Sequence, residues 1–185
     1  AAPEGSGAMS AVLGMDAAVI EDVLNGREGV SIANYNCPGQ IVITGEAAAV
    51  AEAGTALKEA GARRVLPLKV SGPFHSPMMR PAGEELAKVF ARVSMNPLKI
   101  PYVANINAEV ITDCGRIEGL LVEQVSGSVR WQQSVETMIR EGVDTFVEIG
   151  PGKTLTGFLR KIDKNVKAYH IGSWEEAVQV CEELK

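Results

Sequence analysis

The chain has 185 residues, of which 46% are hydrophobic, 22% charged and 5% aromatic, with a formal net charge of −5. That is enough apolar material for a sizeable core in one domain or two small ones. An acidic balance with few aromatics argues against nucleic acid as a partner, and no apolar run approaches the roughly 20 residues of a membrane span, so no membrane association is expected.

In chain order, residues 8–14 read as a short apolar strand. Ala17, Val19, Ile20, Val23 and Leu24 recur at helical spacing and predict a helix over 16–24. Residues 30–34 and 40–44 read as two strands of a hairpin, joined by a turn rich in Asn, Pro and Gly. An Ala-rich helix over 46–60 stops at Gly61, and 64–70 supplies a fourth strand. The resulting βαββαβ order is that of a ferredoxin-like domain, here predicted to occupy residues 1–70.

From residue 71 to 185 the rhythm changes to longer helices and apolar strands. Helices are predicted over 80–93, 117–125, 131–141, 153–162 and 174–184, and strands over 100–105, 145–149 and 166–171. The strand over 145–149 is apolar enough to be of the fully buried kind. This half is expected to be α/β. No internal repeat, low-complexity tract or long linker separates the two parts.

Between them stands Val70-Ser71-Gly72-Pro73-Phe74-His75-Ser76-Pro77. Gly72 and Pro73 break the strand, Ser76 suits an N-cap and Pro77 the first helical turn, so His75 is expected where strand becomes helix. Histidine exchanges protons near neutral pH, which suits a general base; a histidine packed in a loop beside Phe74 and Pro73 fits the same context. Gly150-Pro151-Gly152-Lys153-Thr154 has one residue between its glycines, where a phosphate loop needs four, and so reads as a tight turn. His170 has no Cys or His at metal-ligand spacing, and Glu84-Glu85 and Glu175-Glu176 are adjacent pairs that diverge on a helix. The three cysteines, Cys37, Cys114 and Cys181, form no Cys-x-x-Cys pair; no metal site and a reducing compartment are expected. The Ala1-Ala2-Pro3-Glu4 opening has no signal-peptide layout, and the lack of an initiator Met points to a processed chain or a fragment.

Five segments, in order, resemble the C-terminal part of the malonyl-CoA:acyl-carrier-protein transacylases of fatty-acid synthesis. They are Pro3-Glu4-Gly5-Ser6-Gly7-Ala8-Met9, Asn34-Tyr35-Asn36-Cys37-Pro38-Gly39-Gln40-Ile41-Val42-Ile43-Thr44-Gly45, and Gly72-Pro73-Phe74-His75-Ser76. Trp131 with Ser134-Val135-Glu136 follows, and then Glu148-Ile149-Gly150-Pro151-Gly152-Lys153-Thr154-Leu155-Thr156-Gly157. The resemblance implies a ferredoxin-like small subdomain followed by the C-terminal part of an α/β-hydrolase-like large subdomain. It also implies a cytoplasmic or organelle-matrix enzyme without cofactor, acting on malonyl-CoA and acyl carrier protein.

In that family a serine attacks the malonyl thioester and passes the acyl group to a phosphopantetheine thiol, while a histidine activates both. The resemblance makes His75 that base, with a backbone carbonyl orienting it, and position relative to His75 places the carbonyl at Gln124; without the family Gln124 equally suits an ordinary helix-end residue. Asn34, Asn36 and Gln40 would line the entrance for the coenzyme A or carrier arm, though Asn36 equally suits a hairpin turn. Phe74 would restrict the acyl pocket to a malonyl group. The sequence departs from the family pattern in lacking the Gly-His-Ser-x-Gly elbow, the Gly-Gln-Gly oxyanion segment and the arginine for the malonyl carboxylate. A second segment or chain carrying the serine is therefore expected, without which this chain is inactive. The alternative is a catalytically inactive ligand- or partner-binding domain derived from an acyltransferase.

Overall fold

A computed structural model describes residues 5–70 and 72–185. Strand β1 (Gly7–Leu13) leads to helix α1 (Ala17–Leu24), the hairpin β2 (Val30–Cys37) and β3 (Gln40–Glu46), helix α2 (Ala47–Glu59) and strand β4 (Arg64–Pro67). They form a four-stranded antiparallel sheet in the order β2-β3-β1-β4. This is the βαββαβ arrangement that the periodicity predicted. Pro38-Gly39 closes the hairpin with Gly39 at φ 72°, the left-handed value that the third residue of such a turn requires. Gly45, at φ 148°, faces Gly29 so closely that any Cβ would collide with its carbonyl.

One face of this sheet carries the main core. Val12, Ile20, Ile32, Ile41, Ile43, Val50 and Leu57 are buried there with α1 and α2, and a smaller cluster of Met9, Ala11, Ala33 and Val42 lies on the other face. The fourth strand is shorter than the predicted 64–70 because Pro67 has no N–H to continue the ladder. Leu68 donates one last bond to the carbonyl of Met9.

Beyond it, the 3₁₀ turn Pro77–Met79 opens helix α3 (Arg80–Phe90), which packs on helix α4 (Ile117–Ser126). Gly83 permits that approach, since a Cβ there would stand 3.1 Å from the carbonyl oxygen of Val122. The strand predicted over 100–105 is reduced to β5 (Tyr102–Val103), paired with an unforeseen β6 (Val110–Ile111) across a turn in which Ala108 is left-handed. Helix α5 (Trp131–Arg140) follows. Then β7 (Thr145–Ile149), α6 (Thr154–Ile162) and β8 (Lys167–Ile171) form a β-α-β unit with parallel strands, and α7 (Trp174–Glu183) ends the chain's regular structure. Helices α5 and α6 lie against β2. The expectation that 145–149 is fully buried fails: every residue of β7 is at least partly exposed, and Ile149 is 78% exposed. Its apolar run meets α6 and β8 but has no further layer among the described residues. None of the described helices is long and apolar enough to cross a membrane.

Candidate functional site

His75 stands in the loop between β4 and α3 with a left-handed backbone, φ 57°. For a residue with a Cβ this conformation costs about 1–2 kcal/mol, so its surroundings must hold it there. They do so through the residues on either side. The Pro73 ring is fully buried against Gly7, where any Cβ would collide with it. Ser76 is fully buried and its hydroxyl donates to the carbonyl of Pro73 at 2.7 Å, closing the loop around His75. Ser76 thus occupies the N-cap position predicted for it, but its side chain does not cap; the Met79 amide bonds to its backbone carbonyl instead. Ser71, like Pro3 and Glu4 of the first matched segment, lies outside the described residues.

The half-buried imidazole points at the end of α4, where its Nδ1 lies 3.0 Å from the backbone oxygen of Gln124. A carbonyl can only accept. The Gln124 side-chain amide is 3.4 Å from the same nitrogen, but its hydrogens are directed at the carbonyls of Gly127, at 2.9 Å, and Ser128, at 3.3 Å. The proton therefore belongs on Nδ1, and Nε2 carries the ring's free lone pair. A half-buried imidazole in this tautomer can take a proton from a neighbouring hydroxyl or thiol. Phe74, beside it, is 41% exposed.

Asn34 and Asn36 lie on β2 and Gln40 at the start of β3, all partly exposed on one hairpin. Gln40 accepts a long bond, 3.4 Å, from Lys161 of α6. Among the described residues no hydrogen bond joins these three side chains to His75, yet the backbone of β2 reaches the segment that follows the histidine's partner helix. The segment after α4 runs along β2: Val129 donates to the carbonyl of Ala33 at 2.7 Å, Tyr35 donates to that of Val129 at 2.8 Å, and the hydroxyl of Ser128 donates to the carbonyl of Ile32 at 2.6 Å. Arg130 then places its guanidinium 5.5 Å from the centre of the Tyr35 ring. Burial and a bond to Glu21 push the Tyr35 hydroxyl up to about 12, so it stays protonated. Sequence reasoning missed this crossing, for which Ser128 and Arg130 carry no local signal.

The Gly150–Lys153 turn is no phosphate site. The carboxylate of Glu148 already accepts from the amides of Leu155 and Thr156, at 3.0 and 2.7 Å, and from the Thr156 hydroxyl at 2.6 Å, occupying the donors that open α6. His170 binds this turn from β8, with Nε2 at 2.9 Å from the carbonyl of Gly150. It thereby ties β8 to the turn that opens α6. Among the described residues no cluster of three or more His, Cys, Asp or Glu could hold a metal ion.

A mixed α/β chain with this small antiparallel sheet and histidine loop belongs to the acyl transferase domain family, whose pattern matches residues 1–180. The chain is 43% identical over 189 residues to malonyl CoA-acyl carrier protein transacylase of Bacillus subtilis (strain 168), an alignment covering 100% of this chain and 60% of that protein. Against the enzyme of the same name from Escherichia coli (strain K12) it is 44% identical over 166 residues, 88% of this chain and 53% of that one. Among solved structures, the acyl-carrier-protein-S-malonyltransferase of Bartonella henselae superposes with a TM-score of 0.94 at 40% identity, covering 99% of this chain and 59% of the other. A malonyl-transacylase solved in complex with its type II PKS acyl-carrier protein gives 0.91 at 37% identity, covering 98% and 60%. The chain thus spans three fifths or less of the relatives it matches.

Proposed function

We propose that this chain is the histidine-bearing part of an enzyme that moves a malonyl group from coenzyme A to the phosphopantetheine thiol of acyl carrier protein in fatty-acid synthesis. The contact between His75 Nδ1 and the carbonyl of Gln124 carries this reading, because it leaves Nε2 free as a base. A serine hydroxyl from a segment outside this chain gives its proton to Nε2 as its oxygen bonds to the malonyl carbonyl carbon. The carbon–sulfur bond breaks and the coenzyme A sulfur leaves with that proton. The carrier thiol then repeats the sequence in reverse on the serine ester. Transfer of an acyl group between sulfur and oxygen moves no electrons to a carrier, so the proposal names no cofactor and no metal.

Residues 1–70 form the small subdomain in this reading and 71–185 the C-terminal part of the large one. Asn34, Asn36 and Gln40 face the amide-rich arm, and Phe74 bounds the acyl pocket. A complex between a relative and its carrier protein supports the choice of partner. The test is reconstitution with a segment carrying a Gly-His-Ser-x-Gly elbow. His75→Ala should lower malonyl transfer by a factor of roughly a hundred or more with the complex intact. Transfer at the rate of the unaltered protein would remove His75 from the mechanism.

A further inference from the structure

The side chain of Gln124 is not needed for a backbone carbonyl to orient a histidine, yet it is placed with care. Its Nε2 donates to the carbonyls of Gly127 and Ser128, which follow α4 directly, while its Oε1 is buried without a partner among the described residues. A buried amide left half-satisfied costs free energy, so the two bonds it does make are bought at the expense of the other end. Those bonds fix the turn at Gly127, where a Cβ would run into Ile106 and stand 3.1 Å from the carbonyl oxygen of Glu123. From that turn the chain crosses at once to β2, held there by the Ser128 hydroxyl and by the backbone bonds of Val129.

We propose that the Gln124 side chain and Ser128 form a positioning strap, which holds the His75 tautomer and aim and ties them to the strand presenting Asn34 and Asn36. The inference rests on the reading of His75 as the base. Gln124 contributes twice, its carbonyl to the imidazole and its amide to the strap, and the strap keeps that carbonyl within reach of Nδ1. Ser128 links this arrangement to β2 through one hydroxyl. Neither side chain touches the reacting atoms; both act through His75. Displacing a reacting group by about 1 Å can cost a hundredfold in rate, so a strap of this kind should show in turnover rather than in substrate affinity.

The experiment uses the assembled enzyme and compares Gln124→Met, which removes both donors at similar volume, with His75→Ala. For Gln124→Met we expect kcat to fall about tenfold with KM for malonyl-CoA within about twofold, as fits the loss of one or two hydrogen bonds. Imidazole ¹⁵N spectra should pass from a single Nδ1–H tautomer to a mixture, a change that a merely structural role would not produce. An unchanged tautomer and unchanged kcat, with His75→Ala inactive, would overturn the strap alone. An active His75→Ala would overturn the reading beneath it. If Gln124→Met does not fold, Ser128→Ala carries the test: tautomer mixing with a loss in kcat of about threefold supports the strap, and an unaltered spectrum and rate overturn it.

Discussion

The sheet of residues 7–67 and the strand pair of residues 145–171 are held together by different forces. In the first, Val12, Ile20, Ile43, Val50 and Leu57 are at most 2% exposed, and two helices cover the face they share. In the second, Phe146 and Val147 are partly exposed, Ile149 is 78% exposed, and a two-stranded parallel pair leaves an open edge on each side. Parallel strands are normally buried on both faces, and this pair is not. Besides the buried Leu159 and Val180, polar contacts hold it: Glu148 on the N-terminus of α6, His170 on Gly150, and Glu176 on the amide of Gly172 at 2.6 Å. The first region closes by burying apolar surface; the second buries Leu159 and Val180, adds charge and hydrogen bonding, and leaves much of the apolar face of β7 exposed.

The largest expected effect tests that contrast directly. Leu57→Ala, at a fully buried site, should cost about 2–5 kcal/mol, whereas Ile149→Ala should change the stability of the chain by no more than about 0.5 kcal/mol. Denaturant unfolding of the two variants would break the comparison if their losses were equal. A second substitution at the same place sharpens it. Ile149→Asp should leave the chain's own unfolding nearly unaltered but weaken association with a serine-bearing segment by tenfold or more, because a carboxylate would be desolvated in the joint, roughly 1.4 kcal/mol at the least. Titration of one polypeptide with the other reads this directly, and unaltered affinity would mean that β7 is not where the two meet.

The same contrast decides what could be seen in the sequence. The βαββαβ order was legible because each of its elements carries its own period and its own stop, such as Gly61 after α2 and Pro38-Gly39 between β2 and β3. Strands β5 and β6 are two residues each, too short for any period, and exist only because Tyr102 meets Ile111 across the left-handed Ala108. The misjudged burial of β7 has a simple cause: an apolar run says what a strand needs covered, not what covers it. At the site, the loop at His75 was marked by Gly72, Pro73 and Pro77, and Gln124 was reached only through family resemblance. The bond from Ser128 to Ile32 spans 96 residues of sequence, and nothing local to either end announces it.

A smaller effect is expected at the acyl pocket proposed beside Phe74. Phe74 belongs to the histidine loop and not to either core, so Phe74→Ser should spare stability and alter selectivity. The rate with methylmalonyl-CoA relative to malonyl-CoA should rise about tenfold, the scale on which a hydrophobic wall discriminates one methyl group. Competition between the two thioesters measures the ratio; no change in it would leave Phe74 without a part in acyl selection.

The least effect, and the one that separates the two regions by their forces, is that of pH. Burial pushes the Glu148 carboxyl up, but the hydroxyl and amide of Thr156, the amide of Leu155 and the nearby His170 outweigh it and hold the group below its ordinary value of 4.5. A carboxyl depressed in the folded state binds its proton more readily when unfolded, so its contribution is full above about 4.5 and is lost as pH falls through the folded value. The apolar core around Leu57 has no such term. Glu148→Gln should therefore be less stable than the unaltered chain at neutral pH, and the difference should shrink as the pH is taken below about 4.5, where the protonated acid resembles the amide. Taking the difference between the two chains removes the shared contributions of Glu175 and Glu176, whose carboxyls are also held low by hydrogen bonds at the start of α7. Thermal unfolding midpoints of both chains across the acid range give that difference. A gap that stayed constant through the acid range would show that the ionised carboxylate does not hold β7 to α6, and that this region, like the first, rests on packing.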